Sequence, residues 1–209
     1  MNITIIFFLG LVVAAVGVIP PGLLNMTAAK ISINESHNKG VVFSIGVCVV
    51  FAVQAYLAAI FAKYLSNHPD VIDILQRVAF VVFVLVTIYY LVIAKANGKP
   101  ELHANGRSKS SRFFQGMFMS AINMLPIPYH AYMVITLATF GWLSLDATGM
   151  ISYVAGAVMG TFIMLYVYMF FFEKISNKAF TSQKNMNYII GGITGVISII
   201  TLINIIKEL

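Results

Sequence analysis

Val18-Ile19-Pro20-Pro21-Gly22-Leu23-Leu24-Asn25 and Asn123-Met124-Leu125-Pro126-Ile127-Pro128-Tyr129-His130 are two proline breaks, each set well inside an apolar stretch. Proline has no amide hydrogen and clashes with the turn before it, so a helix entering either segment is expected to kink or unwind. A broken helix leaves free N–H groups on one side of the break and free carbonyls on the other. The N–H end, with its partial positive charge, suits a carboxylate. The carbonyl end suits an ammonium group or a cation. Two such breaks facing each other would hold a zwitterion without any charged side chain. Pro20, Pro21, Gly22 and Asn25 at the first break are therefore candidate substrate-binding residues, as are Asn123, Pro126, Pro128 and His130 at the second. Gln54 and Tyr56 are candidates for the same cavity, with Tyr129, Tyr132 and Tyr166 as further lining. His130 is the proton-coupling candidate, because an unperturbed histidine titrates near pH 6.5 and ionisable groups within a membrane default to a functional role. Every Asp and Glu lies in a loop or near a span end, so coupling through a buried carboxylate is not expected. Two plainer readings stay open. The prolines could serve helix packing alone, and a facilitator with no coupling fits the same residues.

The elements that would hold these residues are membrane spans. Apolar residues make up 60% of the chain and charged residues 10%, against roughly 25% charged in an average soluble domain. With a mean hydropathy of +0.91, a soluble globular fold is excluded. Six apolar runs, 3–33, 41–65, 74–93, 113–140, 148–172 and 186–206, each reach the length of about 20 residues needed to cross a bilayer. The expected fold is an all-α integral membrane protein of six transmembrane helices, with spans 1 and 4 broken at prolines. Sustained strict alternation is lacking, which argues against a β-barrel.

The net charge of +6 follows from topology. Ten of the 13 basic residues fall after spans 1, 3 and 5, from Lys30 and Lys39 through Arg112 to Lys184. Basic loops stay cytoplasmic, which places both termini on the non-cytoplasmic side. The charge calls for no nucleic acid. The single cysteine, Cys48, can form no intramolecular disulfide and reads as a packing residue.

An internal repeat is legible. Displaced by 106 residues, Phe8, Gly10, Ala15 and Pro20 fall on Phe114, Gly116, Ala121 and Pro126. At an offset of 110, Gly46, Tyr56, Phe61, Ser66 and Asn67 fall on Gly156, Tyr166, Phe171, Ser176 and Asn177. The expected organisation is a first three-helix repeat over 1–95, a cytoplasmic linker over 96–112 and a second repeat over 113–209. Three spans per half is an odd number, so the halves would cross in opposite senses, as inverted-repeat transporters do.

Gly10, Gly17, Pro20-Pro21-Gly22, Asn25, Lys30, Gly40 and Gly46 together resemble the lysine exporter (LysE/RhtB) family, and Gly116, Asn123 and Pro126 echo its second-half signature. Leu23 stands where the family's second signature proline would fall, and two residues separate Asn123 from Pro126, marking a divergent member. The resemblance covers essentially the whole chain. It implies a secondary transporter that exports amino acids or related small metabolites across the cell (inner) membrane, driven by the proton motive force. The expected partners are a small-molecule substrate and the lipid bilayer, with homo-oligomerisation left open. No cofactor is called for. Met117, Met119, Met124 and Met133 near His130 raise a metal-transport alternative, but no His-rich tract or His/Asp cluster accompanies them. An enzyme would need nucleophile, acid–base or metal groups converging at one depth, and none is evident. A lipid-handling enzyme or a structural membrane subunit remains the alternative from another class.

Overall fold

The computed structural model describes residues 2–20, 22–68 and 108–175, together with 71, 77, 80–81, 84–93 and single helical positions between 188 and 206. Among the described residues there are helices and no strands. They are α1 (Ile3–Val18), α2 (Leu23–Asn34), α3 (His37–Ser66), α4 (Val84–Ile93), α5 (Lys109–Ile122), α6 (Pro126–Thr139) and α7 (Ala147–Ile175). The chain divides into two compact units, one of residues 1–66 and 103–172, the other of residues 67–102 and 173–209.

The apolar runs become helices where local chemistry starts and stops them. Asn2 caps α1 by accepting from the Thr4 amide at 3.0 Å, and Ser108 caps α5 by accepting from Ser111 at 3.2 Å. Pro126 opens α6, the position where a missing amide hydrogen costs least. α6 ends at Gly141, whose φ of +72° is a backbone state that only glycine enters freely. There the Trp142 amide reaches back to Leu137 O at 2.8 Å and the Gly141 amide to Ala138 O at 2.9 Å, a Schellman stop.

α3 and α7 are each long and apolar enough to cross a membrane, and α1 and α2 pass the same test only when taken together. Their axes differ by 81° at the break, the geometry of a sharply broken span or of a re-entrant pair. The expected span 113–140 is likewise two helices, α5 and α6. Of the expected span 186–206 and of the linker, most positions lie outside the described residues, as do seven of the 20 positions of the expected span 74–93.

Within the larger unit the helices pack through small residues, because apolar side chains gain little by leaving lipid for each other. α3 turns Ala55, Ala58, Ala59 and Ala62 inward, all fully buried, and leaves Val49, Val53, Leu57 and Ile60 on its outer face. α5 does the same at a four-residue spacing, with Arg112, Gly116 and Ser120 inside and Phe114, Phe118 and Ile122 outside. Two crossings are close enough to need glycine. A Cβ on Gly10 of α1 would strike the Tyr153 carbonyl and the Ala157 amide of α7, and one on Gly156 would strike the Phe7 carbonyl and the Leu11 amide. A Cβ on Gly116 of α5 would strike the Phe43 carbonyl and the Val47 amide of α3, and one on Gly46 would strike the Phe113 carbonyl and the Met117 amide. These are one set of contacts written twice. Phe7, Gly10 and Leu11 map to Phe113, Gly116 and Met117 at the offset of 106, and Phe43, Gly46 and Val47 map to Tyr153, Gly156 and Ala157 at 110.

In the smaller unit, a Cβ on Gly191 would meet the Leu91 side chain of α4 at 2.6 Å, and one on Gly195 would meet Thr87 at 3.4 Å. The small-residue pair thus serves packing inside the chain.

Candidate functional site

The first break is built on Asn25, which is 3% exposed. Its Nδ2 donates to Val18 O at 3.0 Å and Pro20 O at 3.1 Å, while its Oδ1 accepts from the Gly22 amide at 2.7 Å. One side chain therefore caps the carbonyl end of α1 and the loop amide ahead of α2. Tyr168 Oη of α7 donates to the remaining carbonyl, Ile19 O, at 2.5 Å. The amides of Leu23, Leu24 and Asn25 occupy the first turn of α2, where a helix supplies no internal acceptor. Pro20 is exposed and Gly22 half-buried; Pro21 lies outside the described residues.

The second break is held from another helix. Gln54 of α3 donates through Nε2 to Ser120 O at 3.1 Å and to Asn123 O at 3.0 Å. Its Oε1 is buried and has no partner. The backbone carbonyl of Asn123 is what this bridge engages. The far side of the break departs from expectation. Pro126 and Pro128 have no amide hydrogen, the Ile127 amide turns back to Met124 O at 3.3 Å, and the Tyr129 amide turns back to Leu125 O at 3.4 Å. The N–H end expected here is reduced to the amides of Met124 and Leu125, because the prolines that break the helix also delete two of its donors. Pro126 is half-buried and Pro128 exposed.

His130 follows on the inner face of α6, 2% exposed. Its Nδ1 shares a hydrogen bond with Tyr153 Oη of α7 at 2.7 Å. Phe51 of α3 and Tyr129 present ring edges to it, with centroids 5.2 and 5.1 Å away. Tyr129 also packs under Gly17 and donates to Val13 O at 2.9 Å, tying the start of α6 to the end of α1. Tyr129 is thus the polar side chain that links the region of the second break to α1.

A family model described as LysE type translocator matches residues 15–204. The chain belongs to that family. Comparison with curated proteins and with solved structures gives no match. Membership and the apolar helices make this LysE type translocator a multi-pass membrane protein.

In the translocator the structure joins Gln54 to the Asn123 carbonyl, while Asn25 bonds within its own break and His130 bonds Tyr153. Tyr56 is set apart from them: it is 38% exposed on the outer face of α3, nearly opposite Gln54. Tyr132 and Tyr166 also face outward, at 67% and 39% exposed. Among the described residues no three of His, Cys, Asp and Glu converge on a point that would hold a metal.

Sequence reasoning missed Ser120, Tyr153 and Tyr168, the partners of the residues it selected. It also treated Glu35, Lys39 and Arg112 as loop charges. Glu35 lies between α2 and α3 and accepts from Arg112 Nε at 3.3 Å, from Arg112 Nη2, and from Lys39 Nζ at 3.1 Å. Arg112 Nη1 reaches Gln115 Oε1 at 2.5 Å. The Arg112 and Glu35 side chains are only 6% and 7% exposed, so this is a buried ion pair joining the α2–α3 corner to the start of α5. Burial lowers the Arg112 pKa from its usual value, yet an arginine stays charged at any physiological pH. The signal for Tyr153 was available in the offset of 110, which makes it the equivalent of Phe43 at the other glycine crossing.

Proposed function

We propose that this LysE type translocator is a secondary transporter that exports an amino acid or a related small metabolite by alternating access around the two breaks. The observation that carries the reading is the recurrence of one crossing as two, α1 on α7 and α5 on α3, at the offsets that also align the proline breaks. Such recurrence supports two structural repeats of three spans each. An odd number of spans inverts the second repeat, and inverted repeats rocking around a shared site are a common route to alternating access. The membrane is the cytoplasmic (inner) one, with both termini outside, on the weight of the basic loops.

In this reading Pro20, Pro21, Gly22 and Asn25 form one side of the substrate site, and Gln54, Asn123, Pro126, Pro128 and His130 the other. Tyr56 drops out because it faces away. The His130–Tyr153 pair is the proton-carrying element, as it puts a titratable ring against a hydroxyl in the interior of the unit. Homo-oligomerisation is compatible with this scheme and is not required by it.

The test is efflux from proteoliposomes preloaded with a mixture of labelled amino acids, with and without an imposed pH gradient. The expected result is selective loss of one or a few compounds, accelerated by the gradient. Retention of every compound by folded, inserted protein would overturn the amino-acid reading.

A further inference from the structure

We infer that the second break is a ligand subsite for a protonated nitrogen, with Gln54 Oε1 as its acceptor, whereas at the first break the carbonyls are closed by a structural cap and only the N–H end of α2 is left to the substrate. The inference deepens the transport reading and rests on it for the ligand being the transported substrate. It departs from a symmetric picture in which both breaks bind alike.

The two breaks differ in what satisfies them. At the first, the carbonyls of Val18, Ile19 and Pro20 and the amide of Gly22 all have partners, and Asn25, at most seven residues away, supplies most of them. That cap belongs to α1 and α2 themselves. At the second, the cap comes from Gln54, 66 and 69 residues from its two acceptors, so it lasts only while α3 keeps its place against α5. Gln54 spends both Nε2 hydrogens on those carbonyls. Its Oε1 is left as a buried acceptor without a donor, on a residue 6% exposed.

A buried unpaired acceptor is costly, and only a donor relieves it. The surroundings choose the kind of donor. The carbonyl end of α5 carries partial negative charge, which favours a cation. The first turn of α6 presents no free amide to an anion, because Pro126 and Pro128 have none and the amides of Ile127 and Tyr129 are turned back on their own turn, which leaves only the Met124 and Leu125 amides of the break itself. A carboxylate finds no donor on α6, only those two loop amides. A primary ammonium finds Gln54 Oε1 and the α5 carbonyls.

The experiment uses the full-length protein in detergent, with Cys48→Ala and Asn123→Cys, so that one thiol sits at the break while the backbone carbonyl is kept. Its modification by the cationic reagent aminoethyl methanethiosulfonate is compared with that by the anionic sulfonatoethyl analogue, each normalised to its rate with a free thiol. We expect the cationic reagent to react faster, and methylammonium chloride, but not sodium acetate, to slow it. Gln54→Leu should cut the preference about tenfold, the size of one lost hydrogen bond to a charged group. If that variant does not fold, protection by methylammonium decides the matter alone. Equal rates, a faster anionic reagent, protection by acetate, or a thiol inert to both would each overturn the subsite. Methylammonium protection without efflux from proteoliposomes would sink the transport reading and keep the subsite; efflux without protection would do the reverse.

Discussion

Asn25 is the residue on which the first break depends, since one side chain meets two carbonyls and one amide. Leucine of similar size would leave all three without that partner in an apolar setting, at about 1–3 kcal/mol for each group left unsatisfied. Asn25→Leu should therefore lower the thermal unfolding midpoint in detergent sharply. Asn25→Asp is the sharper control. It keeps the acceptor for Gly22 and sets a second oxygen against the carbonyls of Val18 and Pro20. It should be no better tolerated than leucine, and a near-native midpoint would mean that the Nδ2 contacts contribute little. His130 makes a different kind of claim, about protons rather than stability. His130→Gln keeps a polar side chain beside Tyr153 but cannot titrate. It should abolish the stimulation of efflux by a pH gradient while downhill efflux persists. Gradient stimulation that survives the substitution would remove His130 from coupling.

Between elements, the buried Glu35–Arg112 pair is the clearest polar tie, joining residues 77 apart in sequence. Charges taken out of water are stabilising only while paired, so losing one partner costs about 3–5 kcal/mol and replacing both with apolar residues costs far less. Arg112→Leu is thus expected to destabilise α5 against the α2–α3 corner more than the double substitution Glu35→Leu with Arg112→Leu. Unfolding midpoints of the two variants decide it; the opposite order would show that Lys39 alone suffices for Glu35. This tie also marks the limit of what was legible beforehand. Proline acts through the backbone, so Pro20 and Pro126 announced the breaks from type and spacing alone, whereas Gly10, Gly46, Gly116 and Gly156 were legible as matching repeat positions and not as the crossings they make. Asn25 was legible because its acceptors lie within seven residues. Gln54 was found as a polar residue in a span, but its acceptors lie across the fold, and no local pattern specifies them. The 81° turn between α1 and α2 was missed for a related reason: composition registers that a span is broken, not how far its halves diverge.

For the whole molecule, the recurring glycine crossings have a consequence that can be tested without any substrate. If two three-span repeats are inverted, equivalent corners must face opposite sides of the membrane. The corner before α3 and the corner before α7 are such a pair, since Asn38 at an offset of 110 falls on Thr148, next to Ala147. Asn38 and Ala147 are both exposed, and the only native thiol, Cys48, is buried. In a Cys48→Ala background, Asn38→Cys should therefore be labelled by a membrane-impermeant maleimide only from the cytoplasmic face, and Ala147→Cys only from the outside. Swapped sides would keep the inversion and reverse the orientation drawn from the basic loops. Labelling of both from one side would mean an even number of crossings between residues 38 and 147. The halves would then run parallel, and the paired crossings would have to arise from a parallel repeat related by an axis along the membrane normal.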